Sequence, residues 1–144
     1  MGEPDLGRML LEGQRALAAE LAAELSERGY EELRPGHATV FLHIDRRAGT
    51  RLTELAGRAR ISKQGMMLAV DDLESRGYVR RVDDARDARA KIVRLTAVGR
   101  SAAAECRRAV QAVEQRARRQ LGDRRYDALR DALDELANGT DLSA

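Results

Sequence analysis

Hydrophobic residues recur at spacings of three, four and seven over residues 5–28, with arginine and glutamate between them. This spacing places the hydrophobic side chains on one face of an α-helix, and Gly29 predicts the end of that helix. At about 1.5 Å per residue the helix would be roughly 36 Å long. Its apolar face needs a surface to pack on, either in the core of the same chain or in a second copy of it.

Two short helices are predicted after the break that Arg-Pro-Gly makes at positions 34–36. The first covers residues 37–47. The second covers residues 54–60, and Thr53 is positioned to cap it. The apolar residues that these two helices turn inward are Val40, Phe41, Ile44, Leu55, Ala56 and Ala59.

A third short helix is predicted over residues 63–76, directly after the second. Ser62 can cap its first turn, and Gly77 stands where a left-handed residue ends a helix. Its apolar stripe consists of Met66, Val70 and Leu73.

Two runs rich in β-forming residues follow at 78–82 and 90–95, separated by a polar or small seven-residue loop at 83–89. Two short helices followed by such a hairpin predict a helix-turn-helix with a β-hairpin wing. This order puts one helix where it can enter a major groove, and a basic loop where it can reach a neighbouring minor groove.

The C-terminal part of the chain is predicted to be helical again. Thr96 caps a long helix that ends near Leu121, Gly-Asp at 122–123 interrupts it, and a last helix covers residues 124–137. The residues after Asn138-Gly139 are expected to fray.

The fold class predicted from these elements is mainly α with a small β-hairpin wing, in a single domain over residues 1–144. The winged helix-turn-helix lobe would occupy residues 37–96. Helices within 5–34 and 97–137 would flank it and join two copies.

Composition supports a globular chain and changes the picture little. Of 144 residues, 43% are hydrophobic and 35% charged, and only 3% are aromatic, so the core must be built from Leu, Val and Ala. The single cysteine, Cys106, excludes an intrachain disulfide and fits a cytoplasmic location. We expect neither a signal peptide nor a membrane span, since no long apolar run is present.

Net charge is +2, but its distribution is uneven. Residues 58–94 hold ten Lys and Arg against six Asp and Glu, which leaves the remainder of the chain slightly acidic. A locally basic segment is consistent with nucleic-acid binding, and equally with a solvated surface of salt bridges.

Four segments carry a specific resemblance. Residues 61–66 and 72–81 are similar to the recognition helix and strand entry of the MarR (multiple antibiotic resistance regulator) family. Residues 84–89 and 93–99 resemble its wing signature, Asp-Pro-x-Asp-x-Arg followed by Val-x-Leu-Thr-x-x-Gly. The resemblance implies a homodimeric transcription regulator that binds double-stranded DNA at a pseudo-palindrome and responds to a small molecule.

The DNA-contacting residues predicted on the recognition helix are Ser62, Lys63, Gln64, Gly65 and Met67. Ser62 and Lys63 can reach a phosphate, and Lys63 can also reach a guanine. Gln64 can pair with adenine, and Gly65 lets the backbone come close. Met67 could touch a thymine methyl group.

On the wing, the resemblance implies that Arg89 enters the minor groove and that Asp87 holds it, with Arg86 as a second contact. A guanidinium is easier to dehydrate than an ammonium, and a narrow groove concentrates negative potential.

The chain departs from the family pattern at several positions. Met67 and Leu68 replace Ser or Arg that family members often carry, and core packing is expected for at least one of them. Asp72, Ala85 and Ala88 stand where a basic residue, proline and arginine are frequent. These changes reduce the positive charge that faces DNA.

Other chemistry finds little support. His37 and Phe41 lie on the helix near which the family often places an effector pocket, although a capping or core histidine is also an ordinary role for His37. No catalytic set, metal cluster or cofactor motif is recognised. Cys106 is expected to be a buried small hydrophobe, although Arg107 and Arg108 could lower its pKa.

Two alternatives remain beside the ligand-responsive regulator. One is a constitutive architectural DNA-binding protein without an effector. The other is a helical module whose winged lobe binds another protein.

Overall fold

The computed structural model describes residues 2–139, and these form six helices and a three-stranded antiparallel sheet. The elements are α1 Leu6–Glu27, α2 Pro35–His43, β1 Thr50–Arg51, α3 Leu52–Ala59, α4 Lys63–Ser75, β2 Val79–Asp84, β3 Asp87–Leu95, α5 Ala97–Leu121 and α6 Asp123–Asn138. The predicted mainly α fold with a β-hairpin wing is confirmed. Within these residues no helix has the length and apolar content of a membrane span.

One continuous core joins α2, α4, the base of the sheet and α5. The predicted apolar stripe of α4 is fully buried in it. Phe41 meets Tyr78 edge to face, with ring centroids 6.0 Å apart, an arrangement that aromatic pairs prefer. The α5 residues in the core are mostly small, which lets the helix pass close to its neighbours; they include Ala102, Ala103, Cys106 and Ala109.

Helix α1 is fastened to α5 by a cluster of ion pairs at its C-terminal end. Glu24 is buried and accepts hydrogen bonds from Arg28 Nε at 3.1 Å and Arg116 Nη1 at 2.8 Å. Arg28 also donates to Glu105 on α5 at 3.0 Å. Because each charge has a partner, burial of Glu24 is compensated.

Helix α2 is shifted from its predicted position. It begins at Pro35, where proline fits the first turn, and ends at His43 rather than at residue 47. The side chain of Asp45 explains the early end, since its Oδ1 accepts the backbone N–H groups of Arg47 and Ala48 at 2.8 and 2.9 Å. Such a turn competes with helix continuation.

Helix α3 starts at Leu52, before Thr53, so the predicted cap at Thr53 is wrong. The preceding residues form β1, a two-residue strand that the sequence did not reveal; Thr50 pairs with Val93 and Arg51 with Ile92.

The wing is longer and tighter than predicted. The expected loop over 83–89 is wrong, because β2 and β3 continue until only Ala85 and Arg86 separate them. Asp84 is buried at the tip, where it pairs with Asp87 in the ladder and contacts the guanidinium of Arg51. The residues at the wing tip are polar or small, a composition that also predicts a loop.

Helix α6 returns to the winged lobe at its C-terminal end. Arg60, in the turn between α3 and α4, has a left-handed backbone with φ of 53°. Its guanidinium donates to the carbonyl of Ala137 at 3.3 Å and contacts the side-chain oxygen of Asn138. The terminal segment 140–144, expected to fray, lies outside the described residues.

Candidate nucleic-acid interface

The N-terminus of α4 is exposed, and the side chains of its first residues are polar. Ser62 is its N-cap, and Ser62 Oγ accepts the backbone N–H of Gly65 at 3.0 Å, as predicted. Lys63 and Gln64 follow with exposed side chains. The free N–H groups and positive dipole end of a helix favour a phosphate.

A cleft of about 480 Å³ separates α4 from the wing. Its cationic lining residues are Arg51, Lys63, Arg81, Arg89 and Lys91. None of the described residues that line it carries a carboxylate, and the lining is completed by Leu52, Thr53, Met67, Ala90 and Val93. The cleft therefore collects positive charge between α4 and the wing.

Four of these cations are paired with carboxylates, but the Arg89 side chain, 3.6 Å from Asp87, remains 96% exposed. The other three pairings are Arg51 with Asp84, Arg81 with Asp71 and Glu74, and Lys91 with Asp83. Within residues 2–139 Lys63 makes no ion pair. Lys63 and Arg89 are thus the cations most available to an incoming anion.

The sequence pattern did not indicate that Arg51, Arg81 and Lys91 belong to this site. The strand register carries the missing signal, since Arg81 lies opposite Val93 and Lys91 opposite Asp83, all on one face of the hairpin. Arg51 could not be found, because β1 is too short to leave a pattern.

Aspartates order the backbone of the wing tip. Asp84 Oδ1 accepts the N–H of Arg86 at 2.9 Å, and Asp87 Oδ1 accepts the N–H of Arg89 at 3.1 Å. The Arg89 side chain is 96% exposed, with Nε 3.6 Å from Asp87. The structure thus places Asp87 beside Arg89 and leaves the guanidinium facing solvent.

Met67 and Leu68 are both exposed, at 42% and 65% of their surface. The expectation that one of them packs in the core is wrong. Met66, Val70 and Leu73 form the core face of α4. Met67 and Leu68 follow Met66 along the helix and point away from that face.

The two predicted effector contacts are both inside the lobe. Phe41 is fully buried. His37 is buried between α2 and α4, where Nδ1 accepts the N–H of Arg34 at 3.0 Å and Nε2 lies 2.7 Å from Asp72 Oδ2. His37 therefore serves as a cap and a cross-link, and its contact with an effector stays a prediction.

Burial lowers the pKa of His37, and this outweighs the opposing attraction of Asp72. Arg76 and Arg34 also lower it. Nδ1 already accepts a hydrogen bond from a backbone N–H, so a second proton, added at Nδ1, would have no acceptor. The folded state thus favours the neutral imidazole.

We expect the free energy of unfolding to fall as pH decreases below about 6.5, because the unfolded His37 then binds a proton that the folded one resists. The loss levels off below the lowered pKa of the folded state. Urea unfolding at about pH 7.5 and about pH 5.5 measures the change. His37→Gln should shrink this difference, whereas His43→Gln, at the chain's other histidine, should leave it intact. An undiminished difference in His37→Gln would contradict the assignment.

A family model described as the MarR family matches residues 32–90, which span the helix-turn-helix and most of the wing. Over these residues the chain is similar to the MarR family. The resemblance predicted from the sequence is therefore confirmed. A search of curated proteins found no significant match.

Solved structures of MarR-type regulators match the chain over nearly its whole length. CouR from Rhodococcus jostii RHA1, bound to p-coumaroyl-CoA, is 25% identical, with a TM-score of 0.77 and 94% of each chain covered. The transcriptional repressor CouR bound to a 23-mer DNA duplex is 28% identical, with a TM-score of 0.81 and 93% of each chain covered.

A third MarR-family structure, from Mycobacterium tuberculosis in complex with salicylic acid, is 26% identical. Its TM-score is 0.69, and the alignment covers 93% of this chain and 97% of that one. Such regulators therefore share the fold over both the winged lobe and the flanking helices.

The single cysteine of the chain is a core residue. Cys106 is fully buried on α5, and burial raises the pKa of its thiol to about 11 despite the nearby Arg107. Arg107 does act to lower this pKa, but burial outweighs it. The expected role as a small buried hydrophobe is confirmed.

Proposed function

We propose that this chain is a sequence-specific regulator of transcription that binds double-stranded DNA as a homodimer, represses from a pseudo-palindromic operator and is released by a small molecule. The observation that carries the proposal is the cationic cleft between the exposed start of α4 and the wing. The order of these elements allows α4 to enter a major groove while the wing reaches the adjacent minor groove.

On α4, Ser62 and the helix N-terminus would bind phosphate, Lys63 a phosphate or a guanine, and Gln64 an adenine edge. Gly65 has no side chain, so the backbone of this turn can approach the duplex. On the wing, Arg89 would enter the minor groove and Arg86 would contact the backbone, while Asp87 orients Arg89.

The homodimer is proposed from unpartnered apolar surface on the outer helices. Exposed large side chains there are Leu6, Met9, Leu10, Leu11 and Leu17 on α1 and Leu129, Leu133 and Leu136 on α6. Large apolar side chains exposed in such numbers on two helices indicate a surface that a partner covers. Two-fold pairing of these helices would present two recognition helices about one DNA turn apart.

The dimer has a direct test. The double variant Leu10→Glu with Leu133→Glu should run as a folded monomer in analytical ultracentrifugation, because carboxylates cannot be buried unpaired at the interface. The matched control is Leu68→Glu, the same change on the winged lobe, which should remain a dimer. If the double variant kept the wild-type mass, these faces would not be the dimer interface.

Response to a small molecule is supported by the neighbours, one of which has been captured both with DNA and with an acyl-CoA ester. A ligand that binds between the outer helices and the lobes would change the lobe spacing and thereby the fit to two half-sites. The effector of this chain is to be sought with aromatic carboxylates and their CoA esters as first probes.

The deciding experiment is selection of binding sites from a random duplex pool by the purified protein at near-physiological salt. Enrichment of an inverted repeat with half-sites about 10 bp apart would support the dimeric regulator. A pool that binds without enrichment, with a steep salt dependence, would favour the architectural alternative. No binding would reject the DNA assignment and favour a protein partner.

A further inference from the structure

The outer face of α4 carries an apolar pair where the proposed DNA contacts would otherwise continue. Leu68 is 65% exposed and Met67 42%, side by side on a helix whose core face is already complete. Neither side chain contributes to the core, so the fold gives no reason for two adjacent large hydrophobic residues there. Adjacent exposed hydrophobic residues on a binding element indicate contact with a partner.

Helical spacing aligns this pair with the first-turn contacts. Met67 follows Lys63 by four residues and Leu68 follows Gln64 by four, so each lies one turn further along the same face. Met67 also lines the cleft together with Lys63 and Arg89. The apolar pair is therefore continuous with the polar groups that open the helix.

Charge indicates which part of a duplex this turn would meet. Asp71, one turn beyond Leu68, holds a carboxylate on the same side of the helix, where it pairs with Arg81. A carboxylate and two apolar side chains are unsuited to a phosphate backbone. They are suited to base edges in the floor of the major groove, where the thymine methyl is the apolar group on offer.

We propose that Leu68, with Met67 beside it, reads thymine 5-methyl groups in each operator half-site. The inference rests on the proposed DNA-binding function and adds its specificity. The operator should carry at least one thymine under the second turn of α4. Binding energy there would come from methyl burial and would depend little on salt.

The test compares the selected operator with copies in which single thymines are replaced by uracil, which removes only the methyl group. Affinity of the wild-type protein should fall about fourfold for each methyl buried, and more when both half-sites are changed. Leu68→Ala should bind the thymine operator more weakly and lose the difference between thymine and uracil. Thymines outside the half-sites serve as the DNA control.

Val98→Ala is the protein control, since Val98 is 60% exposed but lies on α5 rather than on α4; it should keep the full thymine preference. Leu68 is exposed, so its replacement should leave the unfolding midpoint unchanged, and this measurement accompanies the binding data. Equal affinity of the wild-type protein for thymine and uracil operators would overturn methyl reading while leaving DNA binding in place. Failure to select any duplex would overturn the proposed function and this inference with it.

Discussion

Arg89→Ala is expected to lower operator affinity by about 1–3 kcal/mol for each wing, and thus at least tenfold for a dimer that uses two wings. Arg89 is 96% exposed, so its loss costs the fold nothing that would obscure the effect. Asp87 holds the backbone N–H of Arg89, and a narrow groove of high negative potential would attract the exposed guanidinium. Fluorescence anisotropy titrations over a range of salt concentrations measure both the affinity and its salt dependence.

Arg89→Lys separates charge from shape. Lysine keeps the positive charge, so the salt dependence should stay close to that of the wild type, whereas the planar contacts of the guanidinium are lost and affinity should remain reduced. Arg124→Ala removes an exposed arginine from α6 and should change neither quantity. Wild-type affinity and salt slope in Arg89→Ala would exclude the wing from the interface.

Gly99→Ala is expected to destabilise the protein by about 3 kcal/mol or more, or to prevent folding. A Cβ at this position in the first turn of α5 would lie 1.8 Å from the carbonyl oxygen of Tyr78. That oxygen cannot withdraw freely, since it accepts the N–H of Thr96 at 3.1 Å and its hydroxyl at 3.2 Å. The overlap therefore falls on the backbone between α4 and β2, which is hydrogen-bonded to the residue that precedes α5.

Urea unfolding at fixed protein concentration checks this expectation, with Gly57→Ala as the control. Gly57 lies in α3, and a Cβ there would meet nothing within 4 Å. Alanine at 57 should stabilise the helix by about 0.5–1 kcal/mol. Gly99→Ala unfolding at the wild-type midpoint would show that the close approach of α5 to Tyr78 is not required.

Strong local rules made most of the fold predictable from the sequence. The Met66, Val70 and Leu73 stripe repeats at helical spacing, and it lies in the core. The caps at Ser62 and Thr96 follow from short polar side chains before such stripes, and both make the expected hydrogen bonds to the third residue of their helices.

The wing was predicted in kind but not in extent. Strand prediction depends on the alternation of apolar and polar residues. In the outer half of this hairpin polar residues pair with one another across the strands, so that alternation is missing. Asp83 beside Lys91 is an example. The same limit hid Arg81 and Arg51, whose place in the cleft depends on strand register and on a two-residue strand.

The exposed state of Leu68 could not be predicted because a hydrophobic side chain near a core stripe is usually buried. The direction in which the buried stripe of α4 faces is known only once the helix is packed. That direction places Leu68 on the solvent side. His37 is the opposite case, since its cap to Arg34 and its link to Asp72 join two helices whose relative placement is a tertiary property.

Arg60 stands two residues before the cap of the recognition helix and is hydrogen-bonded to the last turn of α6. The helix that would help set the distance between subunits is therefore attached directly to the turn that aims the DNA-reading helix. In the proposed dimer, a small tilt of α6 would change the angle at which α4 meets the groove, with no change in any group proposed to touch a base. Substitutions in the last turn of α6 would then alter the preferred operator spacing while the preferred half-site sequence stays the same.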